Sequence, residues 1–401
     1  MNRIVLIGNG FDLAHGLPTR YEDFINWYWD FRVHGFSGNL GSVSDDVLCS
    51  FKDLKNQAWN VSAFNGFNLR QATGKQIIDF IRANPNNYEV SFEPFFENIC
   101  KSIETKGWVD IENEYYNLLT KYSIEDTSKV KLKKLNEQLQ YIQMLLINYL
   151  SIVEQTKVEL AENLWNKIYA PISPLDLSIE SGNQFREYII DCKNKKIEDW
   201  KRKQLQYGLS DLYMYNVEDY VNKSDDIYNT TYPELFMLPE WVLFLNFNYT
   251  NSADIYLRNN VSSQIHIHGE LINSQSIIFG YGDEIDQKYA QLQGLNDNEC
   301  LQNIKSIKYM ESDNYKKLLS FIDYAPYQIC IMGHSCGNSD RTLLNTLFEH
   351  KNCISIKPYY HKKENGDNYL DIVQNISRNF KDMKLMRDRV VNKTYCEPLL
   401  G

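Results

Sequence analysis

Four polar stretches hold the residue types that could do chemistry. Gly8-Asn9-Gly10-Phe11-Asp12 joins two glycines to an amide and a carboxylate, with His15 and Arg20 just beyond. Asn246-Phe247-Asn248-Tyr249-Thr250 offers two amides and a hydroxyl. His266-Ile267-His268-Gly269 offers imidazoles, a side chain whose ordinary pKa of about 6.5 suits proton transfer near neutrality. Gly333-His334-Ser335-Cys336-Gly337, followed by Asn338-Ser339-Asp340, adds a further imidazole, hydroxyls and a carboxylate.

Each stretch follows or ends a short run that reads as a strand: residues 3–7, 242–245, 263–268 and 327–332. A strand entering a two-glycine turn is how an open α/β sheet makes an anion-binding loop. Gly8 would allow the tight turn and Gly10 would let a ligand approach bare backbone. The strict dinucleotide fingerprint is incomplete, because Leu13 stands where a third glycine belongs and the next one is Gly16. Asp12 reads either as a carboxylate for a ribose hydroxyl or water, or as the N-cap of the first helix. Asp340 reads either as a pocket group or as a cap. His15 reads as a local hydrogen-bonding group or a ligand contact. His266 and His268 would share one strand face, which permits joint metal binding, yet no third ligand is placed to complete a site.

Further elements must position these groups. The spacing of Phe24, Trp27, Tyr28 and Phe31 predicts a core-facing helix over 21–31. Residues 32–70 read as loop-rich, and 72–83 as a helix. Near Trp108, Asp110 and Glu114 would share a helix face while Glu112 points elsewhere. Leu132, Leu135, Leu139, Ile142, Leu146 and Leu150 give the longest helical stripe, within 129–168. Lys131, Lys133 and Lys134 read as its solvated shoulder. Trp200 anchors a charged run over 193–203, and Tyr213, Tyr215, Tyr220, Tyr228 and Tyr232 form an aromatic group for packing or a ligand. Strands are expected at 276–279 and 353–360, an exposed loop at 362–368, and a peripheral tail after Asp382. The expected fold is α/β: a Rossmann-like, mostly parallel sheet flanked by helices, with a large helical insertion. Four polar strand ends point to one crevice along a sheet edge.

Composition narrows the function. The chain has 401 residues, 43% hydrophobic and 13% aromatic, enough for a sizeable core. Its net charge of -10 speaks against a large basic duplex-binding face, so nucleic acid is not an expected partner. No apolar run approaches the ~18 residues of a membrane span, and the opening apolar run is too short for a secretion signal. A cytoplasmic protein is expected. Its eight cysteines show no CxxC spacing, so no structural zinc is expected and the thiols read as buried fillers.

The motifs GNGFDLAHGLP (8–18), LNFNYT (245–250), HIHGEL (266–271), IIFGYGDE (277–284) and GHSCGNSD (333–340) make the chain similar to the bacteriophage abortive infection AbiH family. The same order resembles a divergent sirtuin-like NAD-binding domain. In that resemblance Gly16-Leu17-Pro18 follows the glycine-rich loop, Arg20 falls near the sirtuin arginine, and Asn248 matches the asparagine of an Asn-x-Asp motif. His268-Gly269 matches the His-Gly pair whose histidine is the general base, and Gly333 to Ser335 resembles a late nucleotide-contacting turn. Asn9, Phe11 and Asp12 depart from the small residues and serine of sirtuins, and Thr250 replaces the motif aspartate. The zinc-binding cysteine pairs are missing, so the resemblance implies NAD hydrolysis to nicotinamide and ADP-ribose, not deacetylation.

The resemblance implies catalytic roles for His268, as general base, and Asn248; Asp12, which departs from the sirtuin pattern, is a further catalytic candidate because its carboxylate could bind a ribose hydroxyl or polarise water. The nucleotide would be held by Gly8, Asn9, Gly10, Phe11, His15, Arg20, Thr250, Gly269, Gly333, His334, Ser335 and Asp340. It implies a discontinuous core of residues 1–31 and 236–380, a mainly helical insertion or lid over 32–235, and an extension over 381–401. A phage-derived trigger and a homo-oligomer fit such an effector. Two alternatives stay open. One is a metal-dependent nuclease-like toxin using Asp12, Asp110, Asp283 and Asp340. The other is a non-catalytic nucleotide sensor.

Overall fold

Apolar runs with alternating sides build the centre of the molecule. A computed structural model describes residues 1–38, 43–54, 74–106, 109–178, 181–184, 187–188, 191, 195, 198 and 237–400. Strand β1 (Asn2–Ile7) leads into helix α1 (Asn9–Ala14) and helix α2 (Tyr21–Gly38). Strands β2 (Val43–Asp45), β3 (Cys49–Asp53) and β4 (Tyr88–Phe92) form a small antiparallel sheet, with helix α3 (Gly74–Ala83) between β3 and β4. Helices α4 (Pro94–Lys106), α5 (Ile111–Thr120), α6 (Lys129–Val153) and α7 (Glu162–Ile168) follow. The main sheet resumes with β5 (Val242–Asn246) and β6 (Ser262–His266). Helices α8 (Gln287–Gly294), α9 (Lys305–Lys308) and α10 (Asn314–Tyr324) precede β7 (Tyr327–Met332). Helix α11 (Arg341–Glu349), strand β8 (Cys353–Tyr359) and helices α12 (Tyr369–Arg378) and α13 (Met383–Arg389) complete the order.

The main sheet is five-stranded and parallel, in the order β6-β5-β1-β7-β8. Numbered by occurrence within that sheet, the order 3-2-1-4-5 is that of a doubly wound, Rossmann-like α/β fold, with reversal between β1 and β7. Side chains alternate across it. Ile4, Leu6, Leu243, Leu245, Ile329 and Ile331 pack under α10, α11 and α12. Val5, Ile7, Val242, Phe244, Cys330 and Met332 face α7 and Tyr256. The helical region between β1 and β5 has its own core, and all six leucine and isoleucine positions of the α6 stripe are buried in it. The architecture is thus the expected mostly parallel sheet with a large helical insertion.

Several local expectations are corrected. The buried face of α2 is Phe24, Ile25, Tyr28 and Trp29, while Phe31 is 53% exposed and stacks on Trp27. The loop-rich reading of 32–70 overlooked β2 and β3. The helical signal over 129–168 breaks between α6 and α7. Ile277–Phe279 is not a strand; it follows a 3-10 turn (Leu271–Ser276) and hangs on the loop after β6 through Ile278 N–H to His268 O, 2.8 Å. The loop after β8 forms a small hairpin, Lys362–Lys363 with Gly366–Asp367. The tail is not peripheral. Val390 bridges Ile356 on β8, and Lys167 Nζ donates to the carbonyls of Pro398 and Leu399 at 2.6 and 3.0 Å, so the tail covers the sheet edge. Trp108, Trp200 with most of the run over 193–203, and the five tyrosines from 213 to 232 lie outside the described residues. Among the described residues no helix is long and apolar enough to cross a membrane.

The reversal point depends on backbone contact between two loops. Gly333 has φ +81°, and a Cβ there would lie 2.1 Å from Phe11 N. A Gly333→Ala variant is therefore expected to lose roughly 2–4 kcal/mol of stability, through left-handed strain plus displacement of α1. A urea midpoint unchanged from the parent would contradict this packing.

Candidate functional site

Four strand ends deliver their polar groups to the carboxyl edge of the sheet, and each is shaped by its own turn. Gly8 is extended and caps α1, so Asp12 lies inside the helix and the N-cap alternative is wrong. After β5, the buried Asn246 side chain organises the next four residues. Its Oδ1 accepts from Asn248 N–H at 2.9 Å and its Nδ2 donates to Thr250 O at 3.2 Å. Asn248 Nδ2 then donates to Gly8 O at 3.1 Å, locking the β5 loop to the β1 loop. After β7, Cys336 N–H donates to His334 Nδ1 at 3.0 Å, and α12 holds the loop from behind through Asn375 Nδ2 to Ser335 O and Asn379 Nδ2 to Cys336 O.

These turns enclose a cavity of about 340 Å³. Its lining includes Gly8, Asn9, Asp12, Asn248, Thr250, His268, Gly333, His334, Ser335 and Asp340, all expected from the sequence. The opposite wall comes from the helical region: Tyr21 at the start of α2, Asp110 and Glu112 at the start of α5, and Leu146 and Leu150 of α6.

At its floor lies a buried charge network. Lys305 Nζ, 1% exposed, donates to Glu112 Oε2 at 2.9 Å and to Asp340 Oδ1 at 2.8 Å. Asp340 Oδ1 also meets His268 Nε2 at 3.2 Å, and Asp340 Oδ2 faces His334 Nε2 at 3.6 Å. Asp340 stands at the cap position of α11, but its carboxylate makes no capping bond and points into this network. Burial alone would raise the Asp340 carboxyl; Lys305 and His268 outweigh it and hold it well below the ordinary value. Burial would likewise lower Lys305, yet Asp340 and Glu112 hold it above its usual value. Glu112 is raised by burial despite Lys305, and Gly280 N–H donates to its other oxygen at 3.3 Å.

His268 is lowered by burial and by Lys305, with Asp340 opposing, so its neutral form is favoured near pH 7. An ionised Asp340 selects the tautomer with hydrogen on Nε2. Nδ1 then carries a lone pair and has no protein partner among the described residues. That is the geometry of a general base oriented by a carboxylate. Tyr309 OH shares Nε2 with Asp340, at 3.2 Å, its ring lying parallel to the imidazole, and Phe247 meets the imidazole edge-on.

Asp12 is buried on the β5 side. Thr250 Oγ donates to one of its oxygens at 2.7 Å and Ser252 Oγ to the other. Burial raises its pKa against these hydrogen bonds.

Other expected residues do not reach the cavity. Gly10 N–H donates to Gly333 O at 2.8 Å and Gly8 N–H to Met332 O at 3.3 Å, so neither offers its N–H to an anion. A Cβ on Gly10 would lie 2.8 Å from Gly333 Cα: the glycines serve loop-on-loop packing. Phe11 is fully buried under the sheet. His15 is held by Phe11 O at 2.8 Å and Tyr256 OH at 2.7 Å. Arg20 is exposed, outside the lining. Gly269 has φ +83° and abuts Ser276, again a packing requirement. His266 and His268 do not form a pair, because β6 ends at His266 and the turn sends His268 toward Asp340. Glu112, not Glu114, accompanies Asp110; Glu114 accepts from Ser102 Oγ at 3.2 Å. Asp283 pairs with Arg341 at 3.2 Å outside the cavity, which breaks the four-carboxylate set. Among the described residues no group of three or more His, Cys, Asp or Glu is placed to hold a metal.

A family model described as "Bacteriophage abortive infection AbiH" matches residues 4–361. No curated protein and no solved structure matches the chain.

Replacing Lys305 with Met strands two buried carboxylates. The variant is expected to lose roughly 3–5 kcal/mol at pH 7. That penalty should shrink as pH falls below 7, because Asp340, held ionised by Lys305 in the parent, takes up a proton in the variant, while Glu112 is protonated in both. Urea unfolding at several pH values checks this; a pH-independent loss would contradict it.

Proposed function

The chain belongs to the bacteriophage abortive infection AbiH family, and from that premise we propose an antiphage effector whose crevice binds NAD and hydrolyses the bond between nicotinamide and ribose. Membership supports an antiphage abortive-infection role in general. The finer reading rests on the site and on the sirtuin-like order of motifs. We take residues 1–31 and 236–380 as the nucleotide core and 32–235 as its lid.

The observation that carries this reading is the Asp340–His268 pair, 3.2 Å apart, opening onto the crevice beside the strand reversal. Nicotinamide leaves as a neutral base from a cationic glycosyl bond, so the enzyme mainly positions ribose and stabilises positive charge at its anomeric carbon. Carboxylates in the lining suit that charge. Water attacks the anomeric carbon, the bond to nicotinamide breaks with its electron pair, and His268 Nδ1 takes the water proton. Asn248, whose Oδ1 has no protein partner among the described residues, orients water or ribose. The carboxylate absent at position 250 is present in space at Asp12, hydrogen-bonded to Thr250 itself. His334 and Ser335 add contacts from the β7 loop.

Mass spectrometry of nucleotides, during phage infection and with purified protein, tests the activity. Nicotinamide plus ADP-ribose is the expected product pair. His268→Ala, checked for folding by circular dichroism, should lower turnover by about 10²–10⁴-fold. Because the His268 pKa is lowered, the basic form persists into acid, so the acid limb of the rate should lie below pH ~6.5. NAD binding without products would replace hydrolysis with sensing, and metal-dependent damage to DNA or RNA would replace it with nuclease action.

A further inference from the structure

The crevice continues past Asp110 and Ser335, which line both the cavity described above and a second hollow of about 240 Å³. This second lobe lies between the end of α4, the start of α5, the β7 loop and the end of α12. Its walls carry Lys106, Arg378, Asn113 and Asn338, together with Glu114, one of whose carboxylate oxygens accepts from Ser102 Oγ. Arg378 Nη1 donates to Asn375 Oδ1, and Asn375 in turn holds Ser335 O at 2.8 Å. Arg378 makes no ion pair among the described residues.

The carboxylates of the first lobe are unequal. Glu112 and Asp340 are bound to Lys305, and both oxygens of Asp12 accept hydroxyls. Asp110 caps α5 through Oδ1, at 2.9 Å from Asn113 N, while its Oδ2 has no hydrogen-bond donor among the described residues. An acceptor oxygen therefore stands at the junction of the lobes, with guanidinium and amide donors beyond it. The opening glycines offer no such donors, because their N–H groups are bonded to the β7 loop.

We propose that the second lobe is a phosphate subsite: a ribosyl phosphate or diphosphate places a ribose hydroxyl on Asp110 Oδ2 and its phosphoryl oxygens against Arg378, Asn113 and Asn338. A planar guanidinium can meet two phosphoryl oxygens at once, which a lysine cannot. The ribose part of this assignment rests on the nucleotide reading above; the anion part does not.

Inorganic pyrophosphate is the direct probe, titrated by calorimetry into the full chain and into Arg378→Ala and Arg378→Lys. Arg378 is exposed, so the variants are expected to fold as the parent. Binding should weaken about tenfold in Arg378→Ala and recover only in part in Arg378→Lys. No binding to the parent at millimolar concentration, or equal binding to all three, overturns the subsite. NAD turnover in the same variants separates the two readings. Raised KM for NAD with kcat preserved supports both. NAD turnover with KM and pyrophosphate affinity both unmoved overturns the subsite alone. Arginine-dependent pyrophosphate binding without NAD turnover supports the subsite and removes the hydrolase.

Discussion

One buried ammonium group holds the site together. Lys305 sits between a carboxylate of the helical region, Glu112, and one of the sheet, Asp340. Three charges in a poorly solvated space are stable only as a set, since removing the cation strands two anions. The set has consequences beyond stability. It keeps Asp340 ionised, and an ionised Asp340 fixes which nitrogen of His268 bears hydrogen. Burial and Lys305 together disfavour the charged form of His268 against the pull of Asp340, leaving a neutral imidazole toward the crevice. Positions from three distant parts of the chain thus become one chemical unit.

A second constraint acts on the backbone. At the reversal between β1 and β7, the two loops approach so closely that Gly8, Gly10 and Gly333 are required by one another. The glycine-rich opening therefore resembles a phosphate loop in sequence while serving in structure to bring two strand ends together. Side-chain donors lie farther along the crevice. At Gly10 the absent side chain makes room for Gly333 of the β7 loop, not for a ligand.

What the sequence made legible was whatever is local and repeated. Alternating or continuous apolar runs marked β1, β5 and β7 to within a residue or so, and the α6 stripe is buried as its spacing required. Polar residues just after strands marked the cavity edge. Lys305 was invisible: it lies on a four-residue helix with no motif, and only tertiary contact makes it central. Glu112 was misplaced because helix-face geometry pairs i with i+4, whereas the first turn of α5 points end-on into the crevice. The strand expected at 276–279 had the right composition but no neighbour to pair with, and strand propensity without a ladder yields only extended chain. The tail after Asp382 showed no motif or strand signal, and only the tertiary pairing of Val390 with Ile356 reveals that it closes the edge of β8.

A crystal structure of the folded His268→Ala variant grown with NAD addresses the central claim directly. The account requires density along the crevice, with the nicotinamide-bearing ribose between the position of the lost imidazole and Asn248, and the diphosphate in the lobe beside Arg378. NAD density on another face, or a fully ordered crevice that stays closed to the nucleotide at saturating concentration, would contradict it.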